Sequence, residues 1–319
     1  MATIVLTGCS SGGKAPTGVL ARTSSPGLGT AIAIDTTHVY WAIAESGGRG
    51  GVYRVSKNGG AVETIAATTA GSVAVDDRFV YWGEGDPNAQ TTLRRRAKLG
   101  GETVTLGSSA SRTGIASDGA YVYWGSGCGE TDSGTIRRVP IDGGPSQDLA
   151  SGQCTWQLAL ADDGSLYWLV GWLAKAPGAG HVSMVRRMER GGGPIVDLLV
   201  VDRQIEAFAI SRGKIAWVTS DSAYELWQSQ CEAPGACTSV QLDGGVPGTW
   251  GNFGVGDGTA WYWTSDSALR SGNLMFVPQD GAKARSLGAL LGGVLAVDDE
   301  RVYGLTTWTG EVFAFAKRP

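Results

Sequence analysis

The stretch AIAIDTTHVYWAI (residues 31–43) sets two short apolar runs around a polar turn, and the same pattern returns six more times. The further copies are SVAVDDRFVYWGE (72–84), GIASDGAYVYWGS (114–126), LALADDGSLYWLV (158–170), FAISRGKIAWVTS (208–220), FGVGDGTAWYWTS (253–265) and VLAVDDERVYGLT (294–306). Their turn positions align at Asp35, Asp76, Asp118, Asp162, Ser211, Asp257 and Asp298. Five residues later come Tyr40, Tyr81, Tyr123, Tyr167, Ala216, Tyr262 and Tyr303. The next residue is Trp41, Trp82, Trp124, Trp168, Trp217 or Trp263, and Gly304 in the last copy. Neighbouring copies are 41 to 49 residues apart (Asp35 to Asp76 at one extreme, Asp162 to Ser211 at the other), which is in or near the spacing of a four-stranded propeller blade.

Each copy parses into four strands. SVAVD alternates and ends in a tight turn, and the VYW strand returns from it. A third strand follows, such as GVYRVS or TIRRVP, then a Gly-rich turn such as Asn58-Gly59-Gly60, then a fourth strand such as AVETIA. Connections this short force antiparallel neighbours, since a parallel crossover needs a dozen residues or more. Two positions before the turn residue stand Ala33, Ala74, Ala116, Leu160, Ala209, Val255 and Ala296, mostly small, as crowding at a central axis requires. The expected fold is all-β, a seven-bladed β-propeller of four-stranded antiparallel blades. The seventh copy has only three strands, ending at Val312-Phe313-Ala314-Phe315, while Thr17-Gly18-Val19-Leu20-Ala21 stands spare at the other end. The N-terminal strand is therefore expected to complete blade seven and remove an open edge.

The strands Tyr262-Trp263-Thr264-Ser265-Asp266 and Trp217-Val218-Thr219-Ser220-Asp221 resemble the YWTD propellers of low-density-lipoprotein receptors and related bacterial surface proteins. The resemblance is one of fold and implies a bacterial surface lipoprotein with no binding residue carried over. The Tyr-Trp pairs themselves are expected to pack between blades.

Composition agrees. The chain has 319 residues with 50 glycines, 42% hydrophobic and only 18% charged residues, which favours turns over long helices. A net charge of -4 with both signs interspersed offers no footprint for nucleic acid. No apolar run approaches the ~18 residues of a membrane-spanning helix. Leu6-Thr7-Gly8-Cys9 fits a lipobox, so residues 1–16 are expected to be a lipoprotein signal and flexible tether, with Cys9 the lipidated residue, and 17–319 the propeller. Only eight residues precede Cys9 and none is basic, unlike a full signal peptide.

The other cysteines are expected to form two disulfides, Cys128–Cys154 and Cys231–Cys237, as suits an oxidising, extracytoplasmic compartment such as an outer membrane or cell surface. Buried free thiols are the alternative.

The loops between strands two and three vary most in the repeat and share a face with the connections between blades, so that face is where specificity is expected. The longest runs from Val170 to Ser183. Trp172 and Trp308 lie in such loops, and Trp156 and Trp250 enter inner strands from blade connections. These four, with His181, Asp86, Asp132 and Asp266, are the candidate ligand contacts, set against the plainer role of sealing adjacent blades. Exposed aromatics stack on sugars or anchor partners. Glu84, Asp86, Glu130, Asp132, Asp221 and Asp266 are spread over four blades, whereas calcium needs several oxygens to converge. No metal or other cofactor is expected. Arg54, Arg95, Arg138 and Arg187 align in strand three, which points to a structural role.

Two histidines, and no GxSxG, HExxH or Walker-type motif, leave little for catalysis. The expected function is a non-catalytic, monomeric binding or scaffold propeller, lipid-anchored in a bacterial envelope and facing a protein, peptide or glycan. The alternative is a hydrolase or lyase using acidic residues at the channel mouth, with or without a metal.

Overall fold

The computed structural model describes residues 18–23, 27–45, 50–85, 91–110, 114–126, 134–153, 155–174, 181–219, 224–246, 254–267, 271–290 and 292–317, with side chains at 109–110, 156, 172–174, 181, 224, 243–246, 266–267 and 271 excepted. Strand β1 (Gly18–Ala21) stands first in the chain and last in the ring. Blade one is β2 (Leu28–Ile34), β3 (His38–Ala44), β4 (Gly51–Ser56) and β5 (Glu63–Ala66). Blade two is β6 (Ala70–Val75), β7 (Phe79–Glu84), β8 (Thr91–Ala97) and β9 (Val104–Ala110). Blade three is β10 (Ile115–Ser117), β11 (Tyr121–Gly125), β12 (Thr135–Pro140) and β13 (Gln147–Ser151). Blade four is β14 (Thr155–Leu160), β15 (Leu166–Ala174), β16 (His181–Met188) and β17 (Val196–Val201). Blade five is β18 (Ile205–Ser211), β19 (Lys214–Thr219), β20 (Tyr224–Ala233) and β21 (Ala236–Val246). Blade six is β22 (Val255–Gly256), β23 (Ala260–Ser267), β24 (Ser271–Pro278) and β25 (Arg285–Ala289). Blade seven is β26 (Val294–Val297), β27 (Arg301–Leu305) and β28 (Val312–Ala316), and β1 completes it. The protein is a seven-bladed β-propeller of four-stranded antiparallel sheets.

The closure strand is short but well seated. Gly18 pairs with Ala314 and Val19 with Phe313, and Ala21 pairs with Val312 after a bulge. Leu20 and Ala21 are buried.

Why Tyr and Trp are adjacent follows from the period of two in a strand, which sends neighbouring side chains to opposite faces. The Tyr of one blade packs toward the next blade, and the Trp packs back toward the one before. Tyr40 therefore clusters with Trp82, Tyr81 with Trp124, Tyr123 with Trp168, Tyr167 with Trp217 and Tyr303 with Trp41. The seven apolar clusters among the described residues fall one to each seam. Truncating one of these indoles to alanine costs about 3–5 kcal/mol. Blade seven has Gly304 because Leu290 fills the space there, with its Cδ2 only 2.4 Å from where a Cβ would stand.

Two local expectations are corrected. In blade four Ala159 faces Tyr167 and Leu160 faces Leu166, whereas in blade one Ala33 faces Tyr40 and Ile34 faces Val39. One extra residue has entered the blade-four turn, so Ala161, not Asp162, holds the repeat position, and Ala159 replaces Leu160 at the small-residue site. The segment from Val170 to Ser183 is also less of a loop than expected. β15 continues to Ala174 and β16 starts at His181, so the long connection is mainly an extended hairpin, and Trp172 and His181 lie in strands.

Candidate functional site

The ring has two faces. One carries the turns from first to second and third to fourth strand, and the other carries the second-to-third loops and the blade connections.

On the turn face the repeated aspartates build the hairpins. Asp35 Oδ1 accepts from the Thr37 and His38 amides, both at 2.7 Å, and Oδ2 accepts from the Tyr40 hydroxyl at 2.8 Å. Asp76, Asp118, Asp257 and Asp298 repeat the arrangement with Tyr81, Tyr123, Tyr262 and Tyr303. The expected backbone role of this series holds in these five blades, and in four of them a cation from the next blade is added. Lys98 Nζ lies 2.6 Å from Asp35, Lys57 2.6 Å from Asp298, Lys317 2.6 Å from Asp257, and Arg190 Nε 3.3 Å from Asp118. At Asp76 the Ser117 hydroxyl of blade three takes this place at 3.1 Å.

These contacts decide the protonation states. Burial opposes ionisation of Asp35, but Lys98, the turn amides and Tyr40 outweigh it and hold the carboxyl far below the usual range. Asp257 is held down in the same way by Lys317 and the Thr259 and Ala260 groups, and Asp298 by Lys57. Burial, and then the Asp118 charge, push Tyr123 up to about 12. A carboxylate bound this firmly is a poor general acid or base.

The aligned arginines are structural, as their repetition implies, but they reach carbonyls rather than carboxylates of the next blade. Arg54 donates to Lys98 O at 2.7 Å, Arg95 to Asp142 O at 3.3 Å and Arg138 to Gly191 O at 3.0 Å. Arg187 stays in its own blade, on Ser165 and Asp163.

On the loop face, Trp308 is 66% exposed. Its loop is braced from within: Thr306 Oγ1 lies 2.6 Å from Thr309 Oγ1 and accepts from the Glu311 amide at 2.9 Å. The Gly29 amide of blade one donates to Thr307 O at 2.8 Å, and Arg22, just after β1, pairs with Glu311 at 2.5 Å. The closure strand thus also fixes the loop that presents the indole.

Of the other expected contacts, Trp156 lies in β14 at a bulge between Thr155 and Gln157, Trp172 in β15, His181 in β16 and Asp266 in β23, and their side chains are outside the described set. Asp86, Asp132 and Trp250 are outside the described residues, as are Cys9, Cys128 and Cys154. The second expected disulfide, Cys231–Cys237, is present and joins directly paired residues of β20 and β21. Among the acidic loop residues Glu84 is described, and it pairs with Arg94 at 3.0 Å. No group of three His, Cys, Asp or Glu able to hold a metal occurs among the described residues, and no helix there is long and apolar enough to cross a membrane.

A cavity of about 1150 Å³ lies on the turn face, between blades seven, one and two, away from the loop face that the repeat variation singles out. His38, Asp77, Phe79 and Leu99 line it. Most of its charges already pair with one another, as in Lys98–Asp35 and Lys57–Asp298. Its cue in the sequence is His38 beside the blade-one turn, one of two histidines in the chain.

The fold and these faces define a seven-bladed propeller of the closed-ring type. No family model matches the chain, and no curated protein matches its sequence. Solved structures are similar in fold alone. The β-propeller domain of the trilobed protease from Pyrococcus furiosus, reported with an open velcro topology, aligns at TM-score 0.64 and 10% identity over 92% of this chain and 97% of that one. A prolyl endopeptidase aligns at TM-score 0.59 and 13% identity over 95% of this chain and 50% of that one. TolB from Acinetobacter baumannii aligns at TM-score 0.54 and 14% identity over 81% of this chain and 65% of that one. The chain therefore spans between half and two thirds of the length of the last two.

Proposed function

We propose that the protein is a non-catalytic binding or scaffold propeller that meets a protein, peptide or glycan through its loop face. The observation that carries this reading is Trp308, an indole 66% exposed on a loop bonded internally and to the first blade and the closure strand. A rigid exposed indole supplies contact area with little entropy lost on binding, which is why Trp dominates binding hot spots. The turn-face aspartates support it by exclusion, since their lone pairs are spent on amides, phenols and lysines. Lipidation at Cys9, with residues 1–16 as signal and tether and 17–319 as the propeller, would hold the ring at a bacterial envelope membrane as a YWTD-like surface lipoprotein. A monomer suits that placement.

The test is a glycan and peptide array probed with the full chain. Trp308→Ala is expected to lose the signal at least about tenfold, the usual cost of a truncated hot spot. Leu99→Ser, on the opposite face, is expected to keep it. Equal binding by both variants would remove the loop face from the reading. Incorporation of labelled palmitate, abolished by Cys9→Ser, tests the anchor separately.

A further inference from the structure

The Asp–Tyr pair that builds the turn face fails in two adjacent blades. Blade five has Ser211 and Ala216 in its place, and blade four has the extra turn residue. Where these departures meet, a cavity of about 380 Å³ opens against blade six, which lies within the usual range of small-ligand pockets. Leu160, Asp162, Ile210, Ser211 and Arg212 are among its walls.

Arg212 is the telling residue. It has φ 47°, the one non-glycine residue with positive φ among those described, and with Gly213 at φ 75° it forms the two-residue hairpin between Ser211 and Lys214. Such turns favour Asn-Gly or Gly-Gly, and a side chain with a Cβ there costs about 1 kcal/mol or more. The fold gains no visible bond in return. Arg212 makes no ion pair or hydrogen bond among the described residues, and the near side of its guanidinium lies over Gly258, where a Cβ would stand 2.1 Å from Nε and 2.6 Å from Cζ. At four other seams the cation of the turn face has an aspartate. Here Asp257 is committed to Lys317 and its own turn, and the aligned position in blade five is the hydroxyl of Ser211, 7% exposed and without a side-chain partner. Asp162, on the blade-four wall, is exposed and likewise without a partner among the described residues.

The cavity thus presents a cation and an anion, both exposed and neither with a partner among the described residues, a hydroxyl, and the hydrocarbon of Leu160 and Ile210. We propose that it binds a small zwitterion of the aliphatic amino-acid class. The ligand carboxylate sits on Arg212, whose planar fork suits it, and on the Ser211 hydroxyl. The ammonium sits on Asp162, and the side group lies against Leu160 and Ile210. The seam does not depend on this cavity for cohesion. Gln157 bonds both backbone groups of Phe208, at 2.8 and 2.9 Å, and the disulfide hairpin of blade five meets Leu198 of blade four.

Titration calorimetry on the full chain with L-leucine, N-acetyl-L-leucine and L-leucinamide tests this. L-Leucine is expected to bind saturably, and the two derivatives, each lacking one charge, at least about tenfold more weakly. Arg212→Gly is expected to weaken L-leucine by at least about tenfold while leaving the melting temperature unchanged or higher, because glycine relieves the backbone. Asp162→Asn is expected to weaken it similarly. No saturable binding of L-leucine, binding of N-acetyl-L-leucine as tight as that of L-leucine, or affinity unchanged in both variants would overturn the proposal. None of these outcomes touches the loop face, whose array signal depends on Trp308.

Discussion

Replacing Asp35 by asparagine and Lys98 by methionine, singly and together, separates the two halves of one blade tie. The pair is 2.6 Å long, with side chains 17% and 12% exposed, so both charges are largely withdrawn from water. Their losses are unequal, because the carboxylate has other partners and the ammonium has few. Without Lys98, Asp35 still accepts from the Thr37 amide and hydroxyl, the His38 amide and the Tyr40 hydroxyl. Lys98→Met should cost about 1.5–3 kcal/mol, the value of one charged hydrogen bond, since methionine keeps the packing of the stem. Without the Asp35 charge, Lys98 keeps the Tyr40 ring at 5.4 Å, a weak substitute, and removing one partner of a buried pair costs about 3–5 kcal/mol. Asp35→Asn should therefore be the more damaging change. Residues in such contact couple by about 0.5–3 kcal/mol in a double-mutant cycle. Arg190→Met, at a guanidinium 58% exposed beside Asp118, is the internal control and should cost no more than about 1 kcal/mol. Urea midpoints near neutral pH measure all four. If both single changes cost no more than Arg190→Met, or the coupling is near zero, the tie is a surface ion pair and this account of the seams is wrong.

Truncating the closure strand with Leu20→Ala, a residue 5% exposed, should cost about 2–4 kcal/mol and expose β28 to limited proteolysis before any other strand. Cleavage that starts elsewhere would contradict it. Opening Cys231–Cys237, six residues apart, with paired serine substitutions should lower stability by about 2 kcal/mol from chain entropy alone, read as a shift in urea midpoint absent under reducing conditions. The depressed carboxyls of Asp35, Asp118, Asp257 and Asp298 contribute stability complete above the unfolded value near pH ~4 and lost as pH falls below it. The raised phenols of Tyr40, Tyr81, Tyr123 and Tyr303 contribute stability complete below pH ~10 and lost as pH rises through the folded values, Tyr123 at about 12. Loss of the tyrosinate absorbance step at the ordinary pH on replacing Tyr40, Tyr81, Tyr123 or Tyr303 by Phe would refute the alkaline limb.

Blade number, strand order and the borrowed strand were legible because they rest on periodicity, which composition cannot mimic: Tyr40-Trp41 and its repeats state which strand faces which neighbour. The extra residue in blade four was not legible, because Asp162 and Tyr167 kept the five-residue spacing while the turn slid by one. Spacing alone cannot tell a conserved register from two compensating shifts. The ionic ties were also hidden. Lys57, Lys98 and Lys317 sit just beyond the third strands, and only the wedge geometry brings each to the preceding blade's turn. At the candidate sites the sequence placed Trp308 in a second-to-third-strand loop but left open whether it faces solvent or seals adjacent blades, and it gave no sign that Arg212 would lack a partner among the described residues, since an arginine in a turn is ordinary until its φ is known.

The seams of the ring are tied by different means. Six blades are folded from four consecutive strands, so each can form as a local meander. Blade seven alone needs a strand from the opposite terminus, and its assembly carries the entropy of closing almost the whole chain. Both its seams carry lysine–aspartate ties, Lys317–Asp257 on one side and Lys57–Asp298 on the other, each at 2.6 Å with the lysine side chains 13% exposed. Arg22 at the end of β1 adds a third ionic contact through Glu311. Across the ring, the seam between blades four and five has no such tie among the described residues. It is held by Gln157, by Phe208 and by the disulfide hairpin, contacts between consecutive blades that need no charge. Both seams that closure must form thus carry charge pairs, as do the seams between blades one and two and between blades three and four, and the turn face departs from the repeat at a seam that has none among the described residues. Arg212 and Asp162 are found on that side.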